Sequence, residues 1–432
     1  MIFISDRLYG QLSFPPVIKE LLDCPGLLRL RDVRMANIPF WAFPSFSSVT
    51  RYEHSLGVCH LANLTAESLK LNDKDKTELM LAALYHDVAT PPFAHAVEEV
   101  LAERYGFDHE QKLKDLIVGR GIAGQHAQVF QGRPIKLHKI LQTGPGRELD
   151  LDWLRIANLA VGQADDDILS DLICSKGIDL DNLDNVIRAA TAMGIGCMPG
   201  LGEILASAFL FHNGRLALSE AARPYITKWQ DARASLYGMI FASLPDFALQ
   251  TMLKDAVRQL MNIDNIGPDD WRLTDDQLMY ERLMKHPKSA LILKRMRLVD
   301  VYVCLAFLCI TGQHAVDNVP KLLPQIESLA AGLSEDGIDT SFDQHCIVSN
   351  YYIDKRKRSI GKPLVLFGTE NDSDIMRDEP RIILGVFSRG RKLWSNHILD
   401  AFIREMTSQL PGNCVQRAKI NQNRYPDIEG MD

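Results

Sequence analysis

Along the first three quarters of the chain, apolar residues return every three or four positions, the period of helices that bury one face. In the segment Asp75 to Asp87, DKTELMLAALYHD, Asp75 and Glu78 have the spacing of a capping box, and Leu79, Ala82, Ala83 and the Tyr85-His86 pair follow around one face. The pair His86-Asp87 therefore falls at the C-terminal end of a predicted helix. Comparable patterns predict helices over 16–23, 54–70, 95–105, 109–118, 167–174, 181–193, 202–213, 223–242, 246–261, 275–284 and 287–310. Short linkers rich in Gly, Pro and Asp separate them, and no internal repeat is present. The most apolar stretch, Val301 to Ile310 (VYVCLAFLCI), is half of the ~20 residues that a bilayer span requires. It is read as a buried helix, and no membrane partner is expected.

Near residue 335 the texture changes. The runs 346–354 (CIVSNYYID), 363–368 (PLVLFG) and 381–389 (RIILGVFSR) are rich in β-branched and aromatic residues and are bounded by Gly, Pro and charges, as strands are. A last helix is predicted over Asn396 to Met406. The fold class that follows is mainly α, with a helical domain over 1–335, a small α+β subdomain with an antiparallel sheet over 336–411 and a polar tail over 412–432.

Composition narrows the function classes. The 432 residues carry 48 Lys+Arg against 55 Asp+Glu, a formal charge of −7, which argues against a coat for extended nucleic acid and against a polybasic membrane binder. The eight cysteines include no CxxC pair and lack the dense spacing of a disulfide scaffold, so they read as reduced thiols of a cytoplasmic protein. The opening MIFISDRLYGQLSF carries Asp6 and Arg7 where a signal peptide needs an apolar run, and so reads as retained structure.

Candidate chemistry centres on His54 in RYEHSLGV, His86-Asp87 in ALYHDVATPPFAH and Asp181 in GIDLDNLDNVIR. Imidazole and carboxylate are ligands for a divalent metal, and three separate helices can bring four such groups together with coordination positions left for water and a phosphate oxygen. Taken singly, such a histidine is usually a satisfied core or surface residue beside an apolar helix, and an Asp after a His often just ends a helix.

The surrounding text adds to this. The segment 6–35 (DRLYGQLSFPPVIKELLDCPGLLRLRDVRM), FPSFSSVTRYEHSLGV (43–58), HDVATPPFAH (86–95), DHE (108–110) and GIDLDNLD (177–184) occur in the order of motifs in the HD-domain phosphohydrolases. Within that superfamily the chain resembles the branch of deoxynucleoside-triphosphate triphosphohydrolases that includes the bacterial dGTPases and the vertebrate SAM-and-HD-domain enzyme. The resemblance runs over nearly the whole chain and implies the helical HD fold. It also implies one divalent ion (Mn²⁺, Mg²⁺, Fe²⁺ or Zn²⁺) on His54, His86, Asp87 and Asp181, and a homo-oligomer. Arg51 and Arg233 match positions that bind substrate phosphates, a task suited to the planar guanidinium fork. His95, His109 and Glu110 match positions on the leaving-group or nucleophile side, where a His-Glu pair can orient an imidazole for proton transfer, or alternatively support the metal site. Asp184 and Arg188, four residues apart on one helical face, read as an ion pair that supports Asp181.

The pattern breaks on the substrate side. Thr90 stands where the resemblance places the second His of H-D-x-G-H, and Ala89 replaces the Gly before it. Met35 replaces a Gln beside the sugar, Asn185 a Tyr, Asn182 a basic residue and Ala189 an acid, while Phe241 and Ser243 replace Tyr and His. Thr90 and Asn185 thus join Arg51 and Arg233 as expected substrate contacts, in a pocket with fewer hydrogen-bonding groups for a deoxyribose.

The expected function is a metal-dependent phosphohydrolase acting on a nucleotide-like phosphoester or phosphoanhydride, with a phosphorylated small molecule as its partner. Two other classes stand beside it: a nucleotide-binding or regulatory module with weakened catalysis, and a metal-dependent nuclease. Three features outside this set were weighed. The aromatic-basic run Tyr351-Tyr352-x-x-Lys355-Arg356-Lys357-Arg358 fits either a nucleotide site or a solvated hairpin tip. Gly144-Pro145-Gly146 lacks the context of a phosphate loop, and the acids of 162–171 read as a solvated helix start or a second cation site.

Overall fold

The computed structural model describes residues 3–38, 41–118, 149–163, 167–174, 178–263, 265–333, 338–339, 344–345, 347–354, 365–366, 381–390, 394–411 and 413–416. Lys355–Arg358, Gly144–Gly146, the acids Asp165 and Asp166 and most of the C-terminal tail lie outside them.

Helices dominate the chain as far as the Pro287–Arg297 helix, and those that carry the candidate site start at side-chain caps. The Arg51–Ser68 helix begins with a complete capping box, Thr50 accepting from the Glu53 backbone and Glu53 reaching back to Thr50. The Asp73–Tyr85 helix is capped by Asn72. Glu78 is thus freed from the capping role expected of it, and bonds Arg155 (2.7 Å) and the Asp152 amide (2.7 Å). Asp179 caps the Leu180–Ala192 helix through the Asn182 amide at 2.7 Å. These three helices pack together, with the His95–Tyr105 and His109–Val118 helices beside them, around a core that includes Leu56, Leu61, Leu81, Leu84, Leu183 and Ile187.

Several predicted elements differ from the structure. The 202–213 helix stops at Ala206 and the chain turns into a hairpin, Phe209–His212 against Arg215–Leu218. Its loop is Asn213-Gly214, both at positive φ (50° and 72°), the two-residue turn that matches strand twist. Ile168–Leu172 is a single 3₁₀ turn, and 277–285 is π and 3₁₀ turns where an α-helix was expected. Three helices lie outside the predicted elements: Pro25–Arg29, Trp153–Ala160, and Gln313–Leu333 with Pro320 and Pro324 inside it.

The largest correction concerns 287–310. The helix ends at Arg297, and Val303–Thr311 is a strand in an antiparallel sheet ordered 413–416, 303–311, 381–388, 347–354. Ile382 lies opposite Ile310 on one side and Ile353 on the other. One face of the strand, Val303, Leu305, Leu308 and Ile310, packs on the Gln313–Leu333 and Asn396–Gln409 helices, while Cys304, Phe307 and Cys309 face the helical core. A strand buried on both faces loses the period-two alternation and reads as a continuous apolar run. Residues 303–333, on the helical side of the division expected at 335/336, are part of this sheet and its cover. Val365–Leu366, from the predicted strand 363–368, pairs in parallel with Ala217–Leu218 and not with this sheet. Among the described residues no helix is long and apolar enough to cross a membrane, and Cys24, Cys59, Cys174, Cys197, Cys304 and Cys309 are free thiols.

The sheet props up one wall of a cavity. Phe307 meets Phe247 edge to face at 5.3 Å, Phe387 stacks on Phe247 at 6.3 Å, and Gly385 is the residue that lets them in, since a Cβ there would lie 2.7 Å from Phe247. Arg389 chelates Asp255 (2.7 and 2.7 Å), which also accepts from Tyr302, and so ties the end of the sheet to the Leu244–Met261 helix.

Candidate metal centre

The cavity, about 250 Å³ in volume, lies between the Arg51–Ser68, Leu180–Ala192, Arg223–Ala242 and Leu244–Met261 helices. At one part of its wall His54, His86 and Asp181 bring a ligand atom each to within 4.8 Å of one another. His54 Nε2 is 3.2 Å from His86 Nε2 and 2.9 Å from Asp181 Oδ1, and His86 Nε2 is 3.7 Å from Asp181 Oδ1. Atoms bonded at ~2.1 Å to one ion lie ~3–3.5 Å apart, so this spacing needs little adjustment to hold a cation. Asp87 lies beside this group, with Oδ2 3.6 Å from His86 Nε2 and 3.8 Å from His54 Nε2.

Local structure aims the two imidazoles. His54 Nδ1 donates to Asp184 Oδ1 at 2.7 Å, and His86 Nδ1 to the Ala83 carbonyl at 2.8 Å, so each ring presents Nε2 to the cluster. Asp184 is chelated by Arg188 (2.8 and 2.9 Å), as the four-residue spacing predicted, but the residue it supports is His54 rather than Asp181. The close approach of the two helices depends on Gly57, where a Cβ would lie 2.1 Å from Asp184 Oδ2.

The charges are coupled. Burial on its own would lower the His54 pKa, but the bonds to Asp181 and Asp184 outweigh it and raise the ring to about 9. His86 is also raised, by Asp87 and Asp181 against its burial. Burial works against ionisation of Asp87, yet Arg51 (2.6 Å) and the two histidines hold it well below the ordinary carboxylate range. Such a group of basic imidazoles and ionised carboxylates holds protons where a cation is absent and exchanges them for one.

Among the other expected site residues, Arg51, His95, His109, Glu110 and Asn185 line the same cavity. Arg51 keeps its Nε buried with no partner among the described residues. His109 is oriented by Glu98, not by the neighbouring Glu110: its Nδ1 hydrogen-bonds Glu98, whose other oxygen takes His95 Nδ1 at 2.9 Å. Burial opposes the charge on both partners, but their mutual bond wins, raising His109 and depressing Glu98. Glu98 was missed, although it lies one helical turn after His95. Glu110 accepts from Gln163 at 3.2 Å. Two expected contacts are not part of the cavity wall. Thr90 is buried with its hydroxyl donating to Asp87 Oδ1 at 2.8 Å, and Arg233 stacks on Tyr237, which does line the cavity, at 4.8 Å. Of the weighed acids, Asp167 caps the 3₁₀ turn and pairs with Arg155 at 2.5 Å. Met35, Phe46, Ile240, Phe247 and Tyr352 are among the cavity's apolar and aromatic wall residues, with Gln250 and Asp246 as polar members that carry no distinguishing motif in the sequence.

Fold and site together define a mainly helical protein built around a His-His-Asp cluster that could hold a metal ion. Residues 51–157 match the HD domain, so the chain carries this domain, with Arg51, His54, His86, Asp87, His95 and His109 inside the matched span and Asp181 beyond it. A deoxynucleoside triphosphate triphosphohydrolase SAMHD1 homolog of Dictyostelium discoideum is 32% identical over 117 residues, 25% of this chain and 23% of that protein. The SAMHD1 protein of Homo sapiens is 30% identical over 99 residues, 21% of this chain and 16% of its own length. An uncharacterised protein of Methanocaldococcus jannaschii is 24% identical over 63% of this chain and 53% of its own length. The similarity thus spans about half or less of these curated relatives. The crystal structure of a hypothetical protein from Aquifex aeolicus superposes with a TM-score of 0.67 at 19% identity, covering 94% of this chain and 99% of that one, and so shares the fold.

Proposed function

We propose that this protein is a metal-dependent phosphohydrolase that acts on a nucleotide-like phosphoester or phosphoanhydride, similar to the deoxynucleoside-triphosphate triphosphohydrolases but with an altered sugar and base pocket. The observation that carries this reading is the convergence of His54, His86, Asp181 and Asp87 in one cavity with Arg51 and His109. The donor set of two Nε2 atoms and two carboxylates suits a divalent ion, with His54, His86, Asp87 and Asp181 as the residues that hold it. Such an ion supplies a Lewis acid for a phosphoryl oxygen and lowers the pKa of a bound water.

The chain's own residues do the rest. Arg51, part buried and with Nε still unbonded, offers its fork to phosphate oxygens and is held in place by Asp87. His109, whose bond to Glu98 favours the charged ring, can offer a proton at Nε2 to the leaving oxygen, while the more exposed His95 shares the same carboxylate and Glu110 lines the cavity. Arg233, braced on Tyr237, can reach substrate phosphates from the facing helix. Asn185, Met35 and Ala189 line the cavity, and Thr90 acts on the substrate only through Asp87. With Met35 and Ala189 in place of hydrogen-bonding groups, the wall favours apolar contact with the non-phosphate part of the substrate.

The test is product release from nucleoside mono-, di- and triphosphates and a generic phosphomonoester with Mn²⁺ supplied, comparing the natural protein with Asp87→Ala. Turnover that vanishes in the variant is expected, and the product identifies the scissile bond. A metal-loaded natural protein that turns over none of the panel would count against the hydrolase and favour a binding module.

A further inference from the structure

The N-terminal hairpin, Phe3–Asp6 paired with Gly10–Ser13, takes no part in the cavity, yet one of its side chains ends a buried chain of hydrogen bonds that begins at His54. His54 Nδ1 donates to Asp184 Oδ1 (2.7 Å). Arg188 spans Asp184 with Nε and one terminal nitrogen (2.8 and 2.9 Å), and its other terminal nitrogen donates to Asp6 Oδ2 at 2.9 Å. All four residues are at most 5% exposed. Asp6 Oδ1 is occupied separately by the amides of Leu8 (2.8 Å) and Tyr9 (3.0 Å), which close the DRLYG turn. The Tyr9 ring lies over the Arg188 guanidinium at 5.6 Å and is seated close against Gly202.

We infer that Asp6 is a positioning residue for the metal centre, acting on His54 through Arg188 and Asp184; this rests on the proposal that His54 is a metal ligand. A guanidinium is planar, so the bond to Asp6 sets the plane in which Arg188 meets Asp184, and Asp184 in turn sets the tautomer and tilt of His54. The charges also matter. Asp6 and Asp184 outweigh Arg188 by one negative charge, which favours a dication at Nε2 in a poorly solvated place, and neutralising Asp6 removes that excess. The turn that opens the chain therefore belongs to the apparatus that holds His54 in place.

The test measures the affinity of the metal-stripped full chain for Mn²⁺ alone, by competition with a chelator, with folding checked by circular dichroism. Asp6→Asn should weaken binding about 10-fold, within the ~10–100-fold range found for partners of metal-ligating histidines. Arg188→Lys, which keeps the charge and loses the fork, should show a similar loss. Arg7→Ala, which breaks only the exposed Arg7–Glu53 pair of the same hairpin, should stay within about twofold. In an Asp184→Asn background, where the chain is already cut, Asp6→Asn should have no further effect. Equal losses in Asp6→Asn and Arg7→Ala, additive losses in the double variant, or unchanged affinity in folded Asp6→Asn would each overturn the inference. A natural protein that binds no Mn²⁺ would overturn the metal reading and this inference with it, whereas normal binding in the natural protein and in Asp6→Asn would overturn the inference alone.

Discussion

His54 and His86 each have an acceptor at Nδ1 and a carboxylate close to Nε2, and that arrangement has a measurable consequence for metal uptake. In the metal-free protein both rings are more basic than usual, and His54, raised to about 9, carries near neutral pH a proton that a cation must displace. Affinity for Mn²⁺ should therefore rise with pH, about tenfold per unit for each proton released, and titration in weak buffer should register acid release; a pH-independent affinity between 6 and 8 would contradict this. His109 answers to a different partner. Its pKa is raised by Glu98 against burial, so its contribution to stability is complete below about 6.5, the unfolded value, and is lost as pH rises through the higher folded value. In Glu98→Gln only burial and weaker charges remain, and the His109 resonance should titrate at a lower pH than in the natural protein when followed by NMR. At Gly57 the requirement is steric. Gly57→Ala would put a Cβ 2.1 Å from Asp184 Oδ2, and overpacking at such a contact costs about 1–3 kcal/mol, which urea unfolding would read directly.

At the scale of elements, helix ends carry the chemistry. His54 begins the second turn of a helix whose start is set by Thr50 and Glu53, and His86 is the residue that caps the C-terminus of the next helix, so that both side chains leave their helices at the cavity. Thr50→Ala should cost about 1 kcal/mol, as cap losses do, and should lower the unfolding midpoint without changing its slope. The capping box was present in the sequence at 50–53, but the clearer apolar period further along drew the predicted start to residue 54. The segment Val301–Ile310 shows the limit of reading by period. Its ten apolar or small residues suit a helix or a strand equally, and what made it a strand was a partner on each side, 381–388 and 413–416, far along the chain. The Asn213-Gly214 turn, by contrast, was a local signal that a helical reading of 202–213 passed over.

For the molecule as a whole, the sheet and the helical core meet at Phe247, Phe307 and Phe387, and Phe247 is also part of the cavity wall. Gly385→Ala would press on two of these rings and should both lower stability and change selectivity among substrates, even though residue 385 is not among those lining the cavity. Metal binding should stabilise the folded chain. At a concentration 100 times the Kd the gain is about 2.7 kcal/mol, seen as a rise in Tm with Mn²⁺ that a chelator reverses and that Asp181→Ala abolishes.

The sequence by itself determined the mainly helical class, the three separate motifs that carry His54, His86-Asp87 and Asp181, and the four-residue pairing of Asp184 with Arg188, because each depends on residue types at short spacings. Only the tertiary structure decided which groups meet. That Asp184 serves His54 and that Glu98 rather than Glu110 orients His109 are outcomes of helix packing, in which partners 130 and 11 residues apart become neighbours, whereas Thr90 with Asp87 and Arg233 with Tyr237 are local contacts three and four residues apart. The same holds for the sheet. A strand buried on both faces and a helix holding two prolines have no distinctive local pattern, and their identity follows from the partners that satisfy their backbone groups and cover their apolar sides.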